Sequence, residues 1–209
     1  ERDEALLLDA ATRRNLELTE TIRDTEKKGS LLWALDRTLT PMGKRLIRNW
    51  LERPLTDPAE INLRLDAVGE LVESRAARAS ARERLSEVRD IERLCSRVAT
   101  SLITPRELLA VRDSLSALPG LAADMASFKC DMLEKLRADI DTLEDVREAL
   151  AATVSDDAPR SAREGGIIRD GFNPQVDELR AAKKGGRKWI ADLEEKEKRE
   201  TGIKSLKIG

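Results

Sequence analysis

Histidine and tyrosine are absent from this 209-residue sequence, and its aromatic residues are three Trp and two Phe. Without imidazole there is no His general base, no Ser-His-Asp triad and no His-ligated metal. Two cysteines, Cys95 and Cys130, are too few for a Cys-rich zinc site or a disulfide scaffold. Reduced thiols and a cytoplasmic location are therefore the expectation. No apolar run approaches the roughly 20 residues of a membrane-spanning helix, and no signal-peptide pattern opens the chain. Neither sign of charge dominates, since 38 basic and 40 acidic residues leave a net charge of −2. A surface built throughout to grip phosphates is disfavoured by that balance. Phosphate-binding glycine loops are missing too: neither a Walker-type GxxxxGK nor a GxGxxG occurs, and Gly165-Gly166 runs into apolar Ile167-Ile168. Carboxylates sit among basic neighbours, so no isolated acid–base pair stands out. What remains is the composition of a helical, non-catalytic chain.

Signals for helix starts are plentiful. A capping residue precedes Pro four times, at Thr40-Pro41, Asp57-Pro58, Thr104-Pro105 and Asn173-Pro174. The cap side chain accepts from the first free amides, and Pro at the first helical position loses an N–H that had no partner. Glu60 and Glu107 stand where they would complete capping boxes. Between these starts the apolar spacing is helical: Met42, Leu46, Ile47, Trp50 and Leu51; Ile61, Leu65, Val68 and Val72; Ile91, Leu94, Cys95 and Val98; Leu108, Val111, Leu115 and Leu118. Five or six short helices up to about residue 125 are expected to share one core. Trp33 and Trp50 read as core anchors, Cys95 as a buried structural thiol and Cys130 as a loop residue. Leu133, Leu136, Ile140, Leu143 and Leu150 keep nearly heptad spacing, which predicts one helix packed lengthwise on a long partner.

The expected fold class is all-α: a multi-helical body over 1–154, a connecting segment over 155–173, and a protruding arm from 174 to 209 that ends in a short β-strand. Ser155-Asp156-Asp157-Ala158-Pro159 breaks the helical pattern, and Arg163 to Gly171 reads as extended or turning. A long polar helix follows from Pro174 to about Glu200, spanning roughly 40 Å. Its sparse stripe of Val176, Leu179, Trp189, Ile190 and Leu193 suits one neighbouring helix, and Trp189 reads as a contact with something absent from the chain. Gly185 and Gly186 interrupt it, each costing about 1 kcal/mol relative to Ala, and are hinge candidates. Around them, Arg180, Lys183, Lys184, Arg187 and Lys188 suggest a phosphate-facing patch. The acidic run that follows nearly cancels it, so a solvated face with pairs such as Asp192–Lys196 and Glu194–Lys198 is the simpler reading. Ile203 to Ile208 is strand-like, with Ala5-Leu6-Leu7-Leu8 as its only comparable partner. The chain reads as a piece of a longer protein.

The run Leu8-Asp9-Ala10-Ala11-Thr12-Arg13-Arg14-Asn15-Leu16-Glu17-Leu18 resembles the start of the core, or lever, domain of bacterial MutS DNA mismatch-repair proteins. Ser30 to Asp36, Thr40 to Leu51, Arg53-Pro54-Leu55, Asp90 to Leu94, Arg163 to Pro174 and Thr201 to Gly209 continue the likeness in order and at suitable spacing. The resemblance implies a dimeric protein that clamps mismatched double-stranded DNA with a second subunit, reads mispairs through an N-terminal module and hydrolyses ATP with Mg in a C-terminal one. Both modules would lie beyond these residues, so the resemblance brings no catalytic, cofactor-binding or metal-binding residue to this chain. Lys204 and Lys207 become candidate DNA contacts, being basic and next to the start of the clamp. The role implied is transmission between DNA binding and the ATPase. Two other classes compete: an all-helical protein–protein adaptor pairing through its long helix, and a small DNA-binding protein acting alone. The Arg163–Pro174 segment and the terminal strand speak against the adaptor, and the net charge against the DNA binder.

Overall fold

A computed structural model describes residues 5–201. All-α architecture is observed: the described residues form ten α-helices and no sheet. These are α1 (Ala10–Asn15), α2 (Leu31–Leu35), α3 (Pro41–Glu52), α4 (Pro58–Glu73), α5 (Arg75–Glu87), α6 (Ile91–Ala99), α7 (Pro105–Asp124), α8 (Asp131–Ala138), α9 (Glu144–Thr153) and α10 (Pro174–Thr201). All four cap–Pro starts fall where the sequence puts them. Thr40 accepts from the Gly43 amide at 3.0 Å, Asp57 from Ala59 at 2.9 Å and Asn173 from Gln175 at 2.9 Å. At Thr104 the full capping box closes: its hydroxyl takes the Glu107 amide, and Glu107 returns to the Thr104 N–H at 2.8 Å. Glu60 closes no such box, because the Asp57 carboxylate turns to Ala59, one residue short of the position the box requires.

The centre of the body is α7, about 30 Å long, against which α5, α6 and α9 pack. It buries Ser114, Leu115, Ala117 and Leu121. Ala81 on α5 is also buried, its small side chain allowing close helix approach. Ser114 is wholly excluded from solvent; its hydroxyl accepts from the Arg89 amide at 2.9 Å and donates to the Ala110 carbonyl at 2.7 Å. A smaller core joins α4 to α8 through Ala67, Phe128 and Leu133, with Leu71, Ala77 and Met132 around them. In place of a side-chain cap of its own, α8 borrows one from α4. The Glu70 carboxylate accepts the Lys129 and Cys130 amides at 2.6 and 2.8 Å, and the Cys130 N–H holds it below the usual carboxylate range.

Several expectations are corrected. The heptad-like stretch is two helices, not one: α8 stops at Ala138, and Leu143 takes a left-handed conformation (φ 45°) before α9. Asp139, Ile140, Asp141 and Thr142 are poor helix formers, and the Asp141 side chain captures the Leu143 amide at 2.9 Å in competition with the helix. Trp33 and Trp50 are not core anchors, being 49% and 37% exposed; the Arg64 guanidinium lies 3.9 Å over the Trp50 ring. Cys95 is exposed, since only Leu94 of its stripe is buried. On α4 the expected stripe of Ile61, Leu65, Val68 and Val72 faces outward, and Ala67 is the residue buried. Periodicity tells which residues share a face; it does not tell whether the same chain covers that face. Cys130 occupies the position before α8 with an N–H engaged. Ala5 pairs with Leu55 and the Leu6 amide donates to the Pro54 carbonyl at 2.7 Å, so the N-terminal run has its partner within the body. The strand expected over 203–208 lies outside the described residues.

Candidate transmission site at the root of the arm

Val154, fully buried at the end of α9, forms an antiparallel bridge with Ile168. Two backbone bonds flank it, from the Ser155 amide to the Ile167 carbonyl at 2.8 Å and from the Arg169 amide to the Thr153 carbonyl at 2.7 Å. The intervening loop turns through a short 3₁₀ helix capped by Ser161, with Glu164 returning to the Ser161 amide at 3.1 Å. Gly165, Gly166 and Gly171 all have positive φ, which glycine adopts without the clash a Cβ brings. This bridge ties the segment that leads into α10 to the end of α9.

Charged side chains then tie the three helices together. Arg112 of α7 pairs with Asp156, and Asp156 also receives Arg169 at 3.0 Å. Arg112, then Arg169, holds the Asp156 carboxyl below its usual range, and the paired acids raise Arg112 in turn. Arg169 additionally donates to the Val154 carbonyl at 3.2 Å. On the arm side, Arg180 donates to the Ile168 carbonyl at 2.7 Å and pairs closely with Asp170, with Asp177 at 3.5 Å. Asp177 accepts the Gly171 amide at 2.8 Å, and Asn173 caps the helix start. A path of contacts therefore runs from α7 through Asp156, Arg169 and Ile168 to Arg180 on α10. Arg112, Asp156 and Arg169 were not singled out by sequence reasoning. For Arg169 the available signal was its place beside Asp170 in a glycine-punctuated turn; Arg112, inside α7, carried none.

Beyond this root α10 continues unbroken through Gly185 and Gly186 to Thr201, 28 residues and about 42 Å. A Cβ added at either glycine would meet no atom within 4 Å, so neither is there for close packing. Lys183 and Lys184 are exposed, whereas Arg180 is committed to the root, which divides the basic cluster. Glu194 pairs with Lys198 and Glu195 with Arg199, as the solvated-face reading expects. Leu179, Trp189 and Ile190 are exposed at 72%, 66% and 41%. Lys204 and Lys207 lie outside the described residues. Nucleotide and Mg²⁺ find no fitting residues here: the sequence holds no phosphate-cradling loop, and among the described residues no group of three His, Cys, Asp or Glu could hold a metal. Among the same residues no helix is long and apolar enough to cross a membrane.

Comparison with known proteins places this architecture. Residues 11–205 match the family model for MutS domain III. The chain is 48% identical over 204 residues to the DNA mismatch repair protein MutS of Symbiobacterium thermophilum, covering 98% of this chain and 23% of that protein. It is 46% identical to the MutS of Ruminiclostridium cellulolyticum and 47% identical to that of Acetivibrio thermocellus, in each case covering 99% of this chain and 24% of the relative. The chain thus spans about a quarter of the length of these relatives. Helical body, bridged turn and long arm are accordingly those of domain III, and the chain belongs to the MutS family of DNA mismatch repair proteins.

Proposed function

We propose that this chain is the lever, with the beginning of the clamp, of a MutS-type mismatch-repair ATPase, and that it transmits between mispaired-DNA binding and ATP hydrolysis. The observation that supports this most is the locked root: a 28-residue helix fixed to the central helix of the body by Arg112, Asp156, Arg169 and Arg180. A rod held at one end carries rotation of the body to its far end, as transmission between two sites requires. Gly185 and Gly186 are the flexing point of that rod. Lys204 and Lys207 contact the DNA backbone, while the mispair itself is read elsewhere in the polypeptide. ATP and Mg²⁺ act in a separate module, the working protein pairs two subunits around mismatched double-stranded DNA, and the setting is the cytoplasm. This chain catalyses nothing by itself. An adaptor that merely pairs through a long helix is not favoured, because family membership and the bridged turn at the root are both superfluous to it.

The experiment is a G185A/G186A variant of the full-length protein, assayed for the effect of ATP on its affinity for mispaired duplex. The lever reading expects that effect to change while affinity without nucleotide is kept. An unaltered ATP effect refutes the hinge.

A further inference from the structure

Asp170 and Gly171 form the one Asp–Gly pair in the sequence, and Asn–Gly occurs nowhere. An Asp side chain and the backbone nitrogen that follows it can close a five-membered ring. Bulk on the following residue normally hinders that closure, and glycine has none. The pair sits at the root of the arm, in a turn closed by the Phe172 amide on the Arg169 carbonyl at 3.3 Å. Gly171 stands third in this turn with φ 84°, the pattern of type II. The Asp170 side chain is 86% exposed, so water reaches it freely. A reactive dipeptide, a glycine and solvent therefore coincide at one bond.

Two contacts restrain that bond. The Gly171 N–H donates to the Asp177 carboxylate at 2.8 Å, and the Arg180 guanidinium pairs closely with Asp170. Ring closure requires the Gly171 nitrogen to give up its proton and turn towards the Asp170 carboxyl carbon. The hydrogen bond fixes this nitrogen in the turn, and any negative charge it gained would face the Asp177 carboxylate, like against like. Arg180 fixes the other reactant and is itself secured on the Ile168 carbonyl at 2.7 Å. Asp177 and Arg180 both belong to the first two turns of α10, so both restraints are lost together when that end of the helix lifts or unwinds.

We propose that Asp170–Gly171 is a modification site, a bond that converts to isoaspartate when the root of the arm opens. The Gly171 nitrogen bonds to the Asp170 side-chain carboxyl carbon, and the carboxyl OH leaves as water with the amide proton. Water then adds to the backbone carbonyl of the resulting succinimide and breaks its bond to the Gly171 nitrogen. Mass is unchanged, but the chain now runs through the side chain and is one carbon longer. The free acid is displaced from the position where Arg180 held it, so the root no longer closes as before. The inference rests on the root contacts and is independent of the lever reading.

The test incubates the full-length protein at neutral pH as wild type, R180A and D177A. Isoaspartate is read by methyl transfer from an isoaspartyl methyltransferase and located by peptide fragmentation. Each variant is expected to accumulate it at position 170 about tenfold faster than the wild type, the loss of one charge-assisted bond. Wild type unfolded in urea should be at least as fast as either variant. D170E keeps an acid for Arg180 but sets its carboxyl one carbon too far for the five-membered ring, and should lose the signal. Equal rates in the wild type and both variants overturn the proposal, as does a folded wild type as fast as the unfolded one, or a signal that survives D170E. The aged wild-type fraction gives a second reading: its amide exchange over 175–182 should exceed that of fresh protein, and unchanged exchange refutes the effect on the root.

Discussion

Replacing Gly185 and Gly186 by Ala tests the proposed flexing point of the arm without touching anything else. Each glycine inside a helix is less favourable than Ala by about 0.8–1.0 kcal/mol, chiefly because its backbone loses more freedom on ordering. No atom lies within 4 Å of a built Cβ at either position, so no clash offsets the gain. The two substitutions together stabilise the middle of α10 by about 2 kcal/mol, which lowers local opening roughly 30-fold at 1.4 kcal/mol per decade. Native-state hydrogen exchange reads that opening directly. Amides over 183–190 are expected to slow by about that factor in the full-length variant, while those around Ser114 and Leu115 in the buried heart of α7 keep their rates. Equal exchange in the variant and the parent would show that the glycine pair is not where the helix yields. The flexing-point reading then fails irrespective of what ATP does.

Four further outcomes are expected. S114A strands the Arg89 amide in a site wholly closed to water, and urea unfolding should register a loss of about 1–3 kcal/mol. F128A empties the contact between α4 and α8 and should lose about 3–5 kcal/mol by the same assay. Asp90 is pushed down to about 2 from 3.8 by the bidentate Arg45 guanidinium. Its contribution is therefore complete above pH 3.8 and disappears as pH falls towards 2; thermal midpoints of D90N should lack that acid limb, and a parallel pH profile contradicts the pairing. With spin labels at Ser116 on α7 and at either Lys183 or Lys196 on the arm, adding ATP and DNA should broaden the distance distribution to Lys196 and leave that to Lys183 unchanged. Broadening at both places the motion at the root instead.

Local chemistry was legible wherever it was local. Thr40, Asp57, Thr104 and Asn173 announce helix starts because a cap and its amide are two or three residues apart, and all four side chains accept as expected. The root of the arm was legible only as a turn. Arg112 meets Asp156 across 44 residues, and Arg180 meets Ile168 across 12, contacts that no periodicity encodes. Burial failed for a different reason. Trp33, Trp50, Cys95 and the outer stripe of α4 obey helical spacing yet stand exposed, since the pattern reports a face awaiting a partner as readily as one already covered. The broken heptad teaches the same lesson in reverse: Leu133 and Leu150 keep their spacing although a captured amide at Leu143 separates the helices that carry them.

Placing the soft point inside the arm, and not at its root, has a geometric consequence for the proposed lever. Gly185 stands 11 residues from Pro174, so about 17 Å of helix remains attached to the body and about 24 Å lies beyond it. A bend of about 20°, the size at which helix distortion becomes a kink, moves the far end by roughly 8 Å when it occurs at the glycines. The same bend at the root would swing the entire 42 Å and move the end by roughly 15 Å. It would also have to break the Arg180 contacts to Asp170 and to the Ile168 carbonyl, charge-assisted bonds that the glycine hinge leaves intact. The softer route therefore gives the smaller displacement while keeping the first half of the arm tied to its root through Arg180. In the proposed lever, a clamp steered in this way would close by a limited, repeatable travel, with its reference point still fixed to the body.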